Sequence, residues 1–160
     1  GTLKATGGGE LDVKSATITD NTGGIIEIDT GSKLLVDNAQ LTLNGDGTGQ
    51  VTLAGTALIT GGATANELEN FNNTIVGSGK ISNLDLDNDA AGVINATGLL
   101  ILDTSNPIEN AGLMEATTGG TLEIPDDVTN TGTLKCFLVS FTTSTNSQLR
   151  FGGNSIVPLK

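Results

Sequence analysis

Histidine, tyrosine and tryptophan are absent from this chain of 160 residues, which has one cysteine, one methionine, three prolines and four phenylalanines. Without histidine, Ser-His-Asp and Cys-His nucleophile systems are excluded. Zinc sites, which draw mainly on Cys and His, are not expected either. A wide globular core is usually filled by aromatic rings, each burying about 150–250 Å². Their scarcity implies an interior too narrow for large rings. The lone Cys136 forms no intramolecular disulfide, which rules out a small disulfide scaffold but does not identify the compartment.

Positive charge is also scarce: seven Lys and Arg stand against 18 Asp and Glu, for a net charge of −11. No basic patch exists to bind a phosphate backbone or an anionic lipid surface, so neither nucleic acid nor membrane is an expected partner. No apolar run approaches the ~18–20 residues of a membrane-spanning helix, so no membrane insertion is expected. The scattered acids suit solubility or attraction of cations.

What the chain does have is 23 Gly, 24 Thr and 15 Asn. Thr and other β-branched residues favour strands, while Gly and Asn favour tight turns. The two are ordered by a repeat. Gly1–Val13 aligns with Gly112–Ile124, six of thirteen positions being identical. The junction Asn110-Ala-Gly112 recurs as Asn130-Thr-Gly132 and Asn21-Thr-Gly23.

Apolar spacing supplies a template: Leu3, Ala5, Leu11, Val13 and Ile18 recur as Ile26, Ile28, Leu34, Val36 and Leu41. Met114, Ala116, Leu122, Ile124 and Val128 follow it, as do Ile94, Ala96, Leu102 and Ile108, and Leu134 and Cys136 open another copy. Pairs with period 2, separated by Gly- and Asp-rich turns, read as short strands with one buried face. Three such strands in about 20 residues make one coil of an all-β, right-handed parallel β-helix, because stacked coils bury a continuous core that no single coil can bury. About eight coils fit the chain, giving a rod roughly 40 Å long at ~4.8 Å per coil. Residues 1–136 form the solenoid. It is looser over 44–83, where Asn44–Gly49 is expected to leave the wall and Phe71 to fill a wider turn. Residues 137–160, with Phe137, Phe141 and Phe151, are expected to form an irregular terminal coil or cap. Gly1 falls inside a repeat, so the chain reads as a piece of something longer.

The stretches Asn110–Ile124 and Phe71–Ser82 are similar to repeats of large bacterial adhesins, the filamentous-haemagglutinin-like exoproteins and autotransporter passenger domains. The resemblance covers residues 1–136 and implies an extended right-handed β-helical stalk, exported and displayed at the bacterial surface or released outside. Its expected partners are neighbouring repeats or other copies stacked end to end, and a surface glycan or host receptor.

Candidate chemistry is sparse. Asp85, Asp87 and Asp89 alternate with Leu84, Leu86 and Asn88, so strand geometry puts all three carboxylates on one outer face. They read as a solvated strand face, with a loose cation site, calcium being the ion, as the alternative. A carbohydrate-binding or carbohydrate-cleaving face is the competing function, since glycosidases pair carboxylates, but no Arg or Lys lies nearby in sequence, the one arginine being Arg150. Cys136 sits where other copies place Ala5, Ile28, Ala96 and Ala116, as a buried small residue. Thr17 and Thr19, set against Gln40 and Thr42, do not repeat as an ice-binding ladder would. Asn72 and Asn95 lie in glycosylation sequons. The expected role is structural or adhesive rather than enzymatic, with self-assembly into fibres a related form.

Overall fold

The computed structural model describes residues 1–20, 22–117 and 119–136, and the main chain of 149–151. Among them there is no helix; every element is a strand, and every pairing is parallel. The strands wind into a β-solenoid with three faces.

Face one carries β1 (Thr2–Ala5), β3 (Ile25–Ile28), the first parts of β5 (Gln50–Gly61), β7 (Thr74–Ser82) and β9 (Val93–Asp103), then β11 (Leu113–Ala116) and β14 (Thr133–Cys136). Face two begins with the first parts of β2 (Glu10–Asp20) and β4 (Lys33–Gly45), continues with the later parts of β5, β7 and β9, and ends on β12 (Thr121–Glu123). Face three takes the later parts of β2 and β4, then β6 (Glu67–Asn70), β8 (Asp85–Asn88), β10 (Ile108–Asn110), β13 (Val128–Asn130) and β15 (Leu149–Phe151).

Inward residues stack in columns of like on like. On face one Leu3, Ile26, Val51, Ile75, Ile94, Met114 and Leu134 stand in register. From Ile26 to Met114 that column is wholly buried. Leu41, Leu68 and Leu86 form the equivalent column on face three, also buried. A bore one aliphatic side chain deep on each wall has no room for rings, which accounts for the composition. The repeat alignment holds in space: Gly1–Ala5 and Gly112–Ala116 belong to the same face at the same register, and Ala116 pairs with Cys136. The Cys136 thiol, the rings of Phe137, Phe141 and Phe151, and the expected cap lie outside the described residues.

Three expectations are corrected. The solenoid makes about six turns at a spacing near 22 residues, rather than eight of 20. Face-one strands begin at 2, 25, 50, 74, 93, 113 and 133, so early coils are longer than late ones. At ~4.8 Å per coil the rod is roughly 30 Å long. The extra residues are corner residues. Asn38 and Ala39, both at positive φ, lengthen the corner of β4, so Ile18 stands beside Leu43 and Thr17 beside Thr42. A turn closed by Gly120 N–H on Thr117 O likewise sets Leu122 beside Leu100 rather than Leu102. Phe71 fills no core space: it is 46% exposed, because Asn70 takes the inward position at the end of β6.

The stretch 44–83 contains β5, β6 and β7, all in register with their neighbours. Asn44 and Gly45 complete β4, and the turn after them stays on the wall: Asp46 accepts from the amide of Thr22, and Thr48 Oγ1 from that of Gly23, one coil below. Where the corner is tightest glycine is obligatory. Gly77, at φ 135°, would place a Cβ 2.0 Å from the Leu53 carbonyl oxygen.

Candidate functional site

Face three differs chemically from the other two, beginning with how its strands end. β6, β8, β10 and β13 finish on Asn70, Asn88, Asn110 and Asn130, all buried. An unpaired buried amide costs on the order of 1–3 kcal/mol, and the fold avoids this by stacking the four. Asn70 Nδ2 donates to Asn88 Oδ1 at 2.8 Å, Asn88 Nδ2 to Asn110 Oδ1 at 2.7 Å, and Asn110 Nδ2 to Asn130 Oδ1 at 2.6 Å. The chain then turns to face one through Gly92, Gly112 and Gly132. A Cβ on Gly112 would lie 2.3 Å from the carbonyl oxygens of Asp89 and Gly92, so the Asn-x-Gly signature encodes both a ladder and a corner.

With these strand ends fixed, the outward positions of face three align. Gln40, Glu67 and Asp85 form one column, and Thr17, Thr42, Glu69, Asp87, Glu109 and Thr129 another, which the main chain of Arg150 continues: the arginine that is distant in sequence stands in register with the acids. Asp89 sits just beyond β8, its amide bonded to Asn70 O. Six carboxylates thus share a strip only one to two strand spacings across. No described lysine neutralises them. Lys4 and Lys135 pair with acids on face one, and Lys14, Lys33 and Lys80 with acids on face two. Neutral donors from the coil below serve Glu67 and Glu69 instead. Gln40 Nε2 donates to Glu67 Oε1 at 2.9 Å and to Glu69 Oε2 at 3.1 Å, and Thr42 Oγ1 donates to Glu69 Oε2 at 2.7 Å.

Adjacent carboxylates ~4.8 Å apart repel, and partial burial sharpens the effect. Burial, followed by the charges of Glu109, Glu67, Asp89 and Glu69, pushes Asp87 up to about 6. Burial and then the charge of Glu69 raise Glu67 above its ordinary value, against the donated bond from Gln40. Two shallow depressions mark the strip. One of about 370 Å³ is lined by Glu67, Asp85, Asp87, Pro107 and Glu109, and one of about 100 Å³ by Asp87–Asp89, Glu109–Ala111, Thr129 and Thr131.

Asp85, Asp87 and Asp89 therefore do share an outer face. They are spread along it rather than gathered, and among the described residues no three acidic groups are placed to hold a metal ion. Glu67, Glu69 and Glu109 belong to the same strip and were not singled out from the sequence. The signal was present: Asn66-Glu-Leu-Glu-Asn70 and Leu84-Asp-Leu-Asp-Asn88 are one motif, acid-Leu-acid-Asn, on adjacent coils. Thr17 and Thr42 align, but Glu69 follows them, so no threonine ladder forms. Of the sequon residues, Asn72 donates to Gly45 O at 2.7 Å and Asn95 accepts from Thr117 Oγ1 at 3.1 Å.

These features define a class: a three-faced parallel β-solenoid with an asparagine-laddered edge and one acidic wall that no described lysine neutralises. No protein-family model, curated protein or solved structure matches the chain.

Proposed function

We propose that the chain is a non-enzymatic, structural and adhesive segment of a bacterial surface or secreted protein, in which stacked coils form a stiff spacer and self-association belongs to the role. One observation carries this reading. From coil to coil, inward positions are given to aliphatic columns and the asparagine ladder, and the lysines to rung-to-rung ion pairs. This is the chemistry of stacking, and no described lysine lies beside the acids of face three. Such an arrangement suits repetition along an axis and lets a rod grow by whole coils. The test is antibody labelling of the producing cells. Labelling of intact cells or of the culture medium supports the reading, and labelling only after lysis overturns it.

A second reading, a carbohydrate-binding or carbohydrate-cleaving face, is favoured by the 370 Å³ depression beside Asp87. A glycan array, together with depolymerisation assays on polysaccharides, separates the two. Binding or cleavage that disappears in Asp87→Ala supports the carbohydrate reading. Absence of both removes it.

A further inference from the structure

Of the chain's asparagines, Asn44 is the one followed by glycine, and the fold places this pair where a ladder runs out. β4 and β6 pair from Gln40 and Glu67 to Leu43 and Asn70, and β6 ends there. Gly45 lies beside Asp20 on the coil below but has no ladder partner on the coil above. Side chains take its main-chain groups instead. Its carbonyl accepts from Asn72 Nδ2 at 2.7 Å, and its N–H donates to Asn44 Oδ1 at 2.7 Å. The second bond ties the amide nitrogen of residue 45 to the side chain of the residue before it. Asn44 Cγ thus lies one covalent bond beyond the atom that this nitrogen touches. Glycine offers no Cβ to obstruct a closer approach, and the pair is only partly buried, so water reaches it.

These atoms are placed for ring closure. Hydroxide removes the Gly45 amide proton, and the nitrogen attacks Asn44 Cγ to form a new N–Cγ bond. The Cγ–Nδ2 bond breaks, and the side-chain nitrogen leaves as ammonia with a proton taken from water. Water then opens the five-membered succinimide. Cleavage of its N–Cγ bond gives aspartate at 44. Cleavage between the nitrogen and the main-chain carbonyl gives isoaspartate, whose main chain is one atom longer. Holding nitrogen and amide in contact removes much of the entropic barrier to the first step. The Asp46-Gly47 pair in the same turn is held differently: its carboxylate accepts from the N–H of Thr22 and from the N–H and hydroxyl of Thr48.

We propose that Asn44-Gly45 is a self-modification site, at which the folded chain converts asparagine to aspartate and isoaspartate without an enzyme. Either product places a new carboxylate at the corner between faces three and one, and isoaspartate lengthens the main chain where Asn72 anchors it.

The test holds the whole chain at mildly alkaline pH, in buffer and in urea, and maps it by mass spectrometry with chromatographic separation of the two products. Because no local opening is needed to bring the atoms together, Asn44 in buffer is expected to convert within about tenfold of its rate in urea. Isoaspartate is expected among the products, and the rate is expected to rise with hydroxide. Asn38 and Asn110, each followed by alanine, are expected to stay unconverted in buffer over the same period. Protection of Asn44 by more than about tenfold in buffer overturns the proposal. So does conversion of Asn38 or Asn110 at a similar rate, or a product free of isoaspartate. Gly45→Ala puts a methyl group on the attacking residue and is expected to slow conversion at least about tenfold; an unchanged rate overturns the proposal. If this variant does not fold, the comparison of buffer with urea on the unaltered chain decides.

Discussion

Asn88 and Asn110 are joined by a 2.7 Å bond from Nδ2 to Oδ1, both side chains are 1% exposed, and each also bonds a further asparagine along the rod. Asn88 Nδ2 further approaches Gly92 O at 3.3 Å and Leu113 O at 3.3 Å, so one amide serves its own corner and the next coil. This ladder joins four successive coils of face three.

Asn88→Leu should therefore cost more than an ordinary core change. It leaves Asn70 Nδ2 and Asn110 Oδ1 each short of a partner, at about 1–3 kcal/mol apiece. Urea unfolding should show a drop of roughly 2–5 kcal/mol, with a clearly smaller loss for Asn95→Leu on the outer wall. Equal losses at the two sites would mean the ladder is energetically ordinary.

Ile59→Ala, in the middle of the solenoid, should cost about 2–5 kcal/mol, because neighbouring coils fixed by their own ladders cannot collapse into the void. The same change at Leu3, 44% exposed, should cost well under half as much. Thermal unfolding of the two variants is the comparison, and similar losses would contradict this difference in burial.

Gly77→Ala forces a Cβ to within 2.0 Å of the Leu53 carbonyl oxygen at a φ of 135°. Backbone on one coil must then move away from backbone on the next, and strain at such a φ adds roughly 1–3 kcal/mol. Gly1→Ala, with nothing within 4 Å, is the neutral control. A Gly77→Ala protein as stable as the control would show that the corner is looser than described.

The acidic strip makes stability depend on pH in a definite sense. Asp87 titrates at about 6 in the folded chain against an ordinary value of 3.8, so the folded state holds the proton more tightly. Stability from this group is greatest below 3.8 and is lost as pH rises towards 6. Glu67 acts in the same direction. Asp29, Asp37 and Asp46 act oppositely. A hydroxyl bond from Thr6, a bond from Lys14 and a hydroxyl bond from Thr48, respectively, lower them, so their contribution is lost as pH falls below 3.8. Tm should peak between about pH 4 and 5 and fall towards pH 7. Asp87→Asn should raise Tm at pH 7 and flatten that fall. A wild-type Tm that climbs steadily from pH 5 to 7 would contradict the strip's electrostatics.

The core was legible in the sequence because its period is fixed by pleating: every inward aliphatic in the template from Ile26 to Leu41, and from Ile94 to Val128 apart from Leu122 and Ile124, is fully or nearly fully buried. Register between coils was less legible, because corners such as Asn38-Ala39 and Thr117–Gly120 add residues without changing the alternation within strands. The acidic strip was half read. Asp85, Asp87 and Asp89 lie on one strand and its flank, where alternation alone groups them. Glu67, Glu69 and Glu109 join them only through coil stacking, which requires a register that single-strand periodicity does not supply. Of the asparagine ladder, Asn110 and Asn130 stood out through the Asn-x-Gly junction, whereas Asn70 and Asn88 lie outside that signature and join only through hydrogen bonds between coils.

A modular scaffold is tested most directly by removing one whole coil. Val93 and Leu113 occupy the same register, so excising residues 93–112 joins Gly92 to Leu113 without shifting any column. The shortened chain should keep its β circular dichroism, unfold cooperatively and form a rod about 4.8 Å shorter. A chain that loses its strand signal or aggregates on this excision would contradict a scaffold built of interchangeable coils.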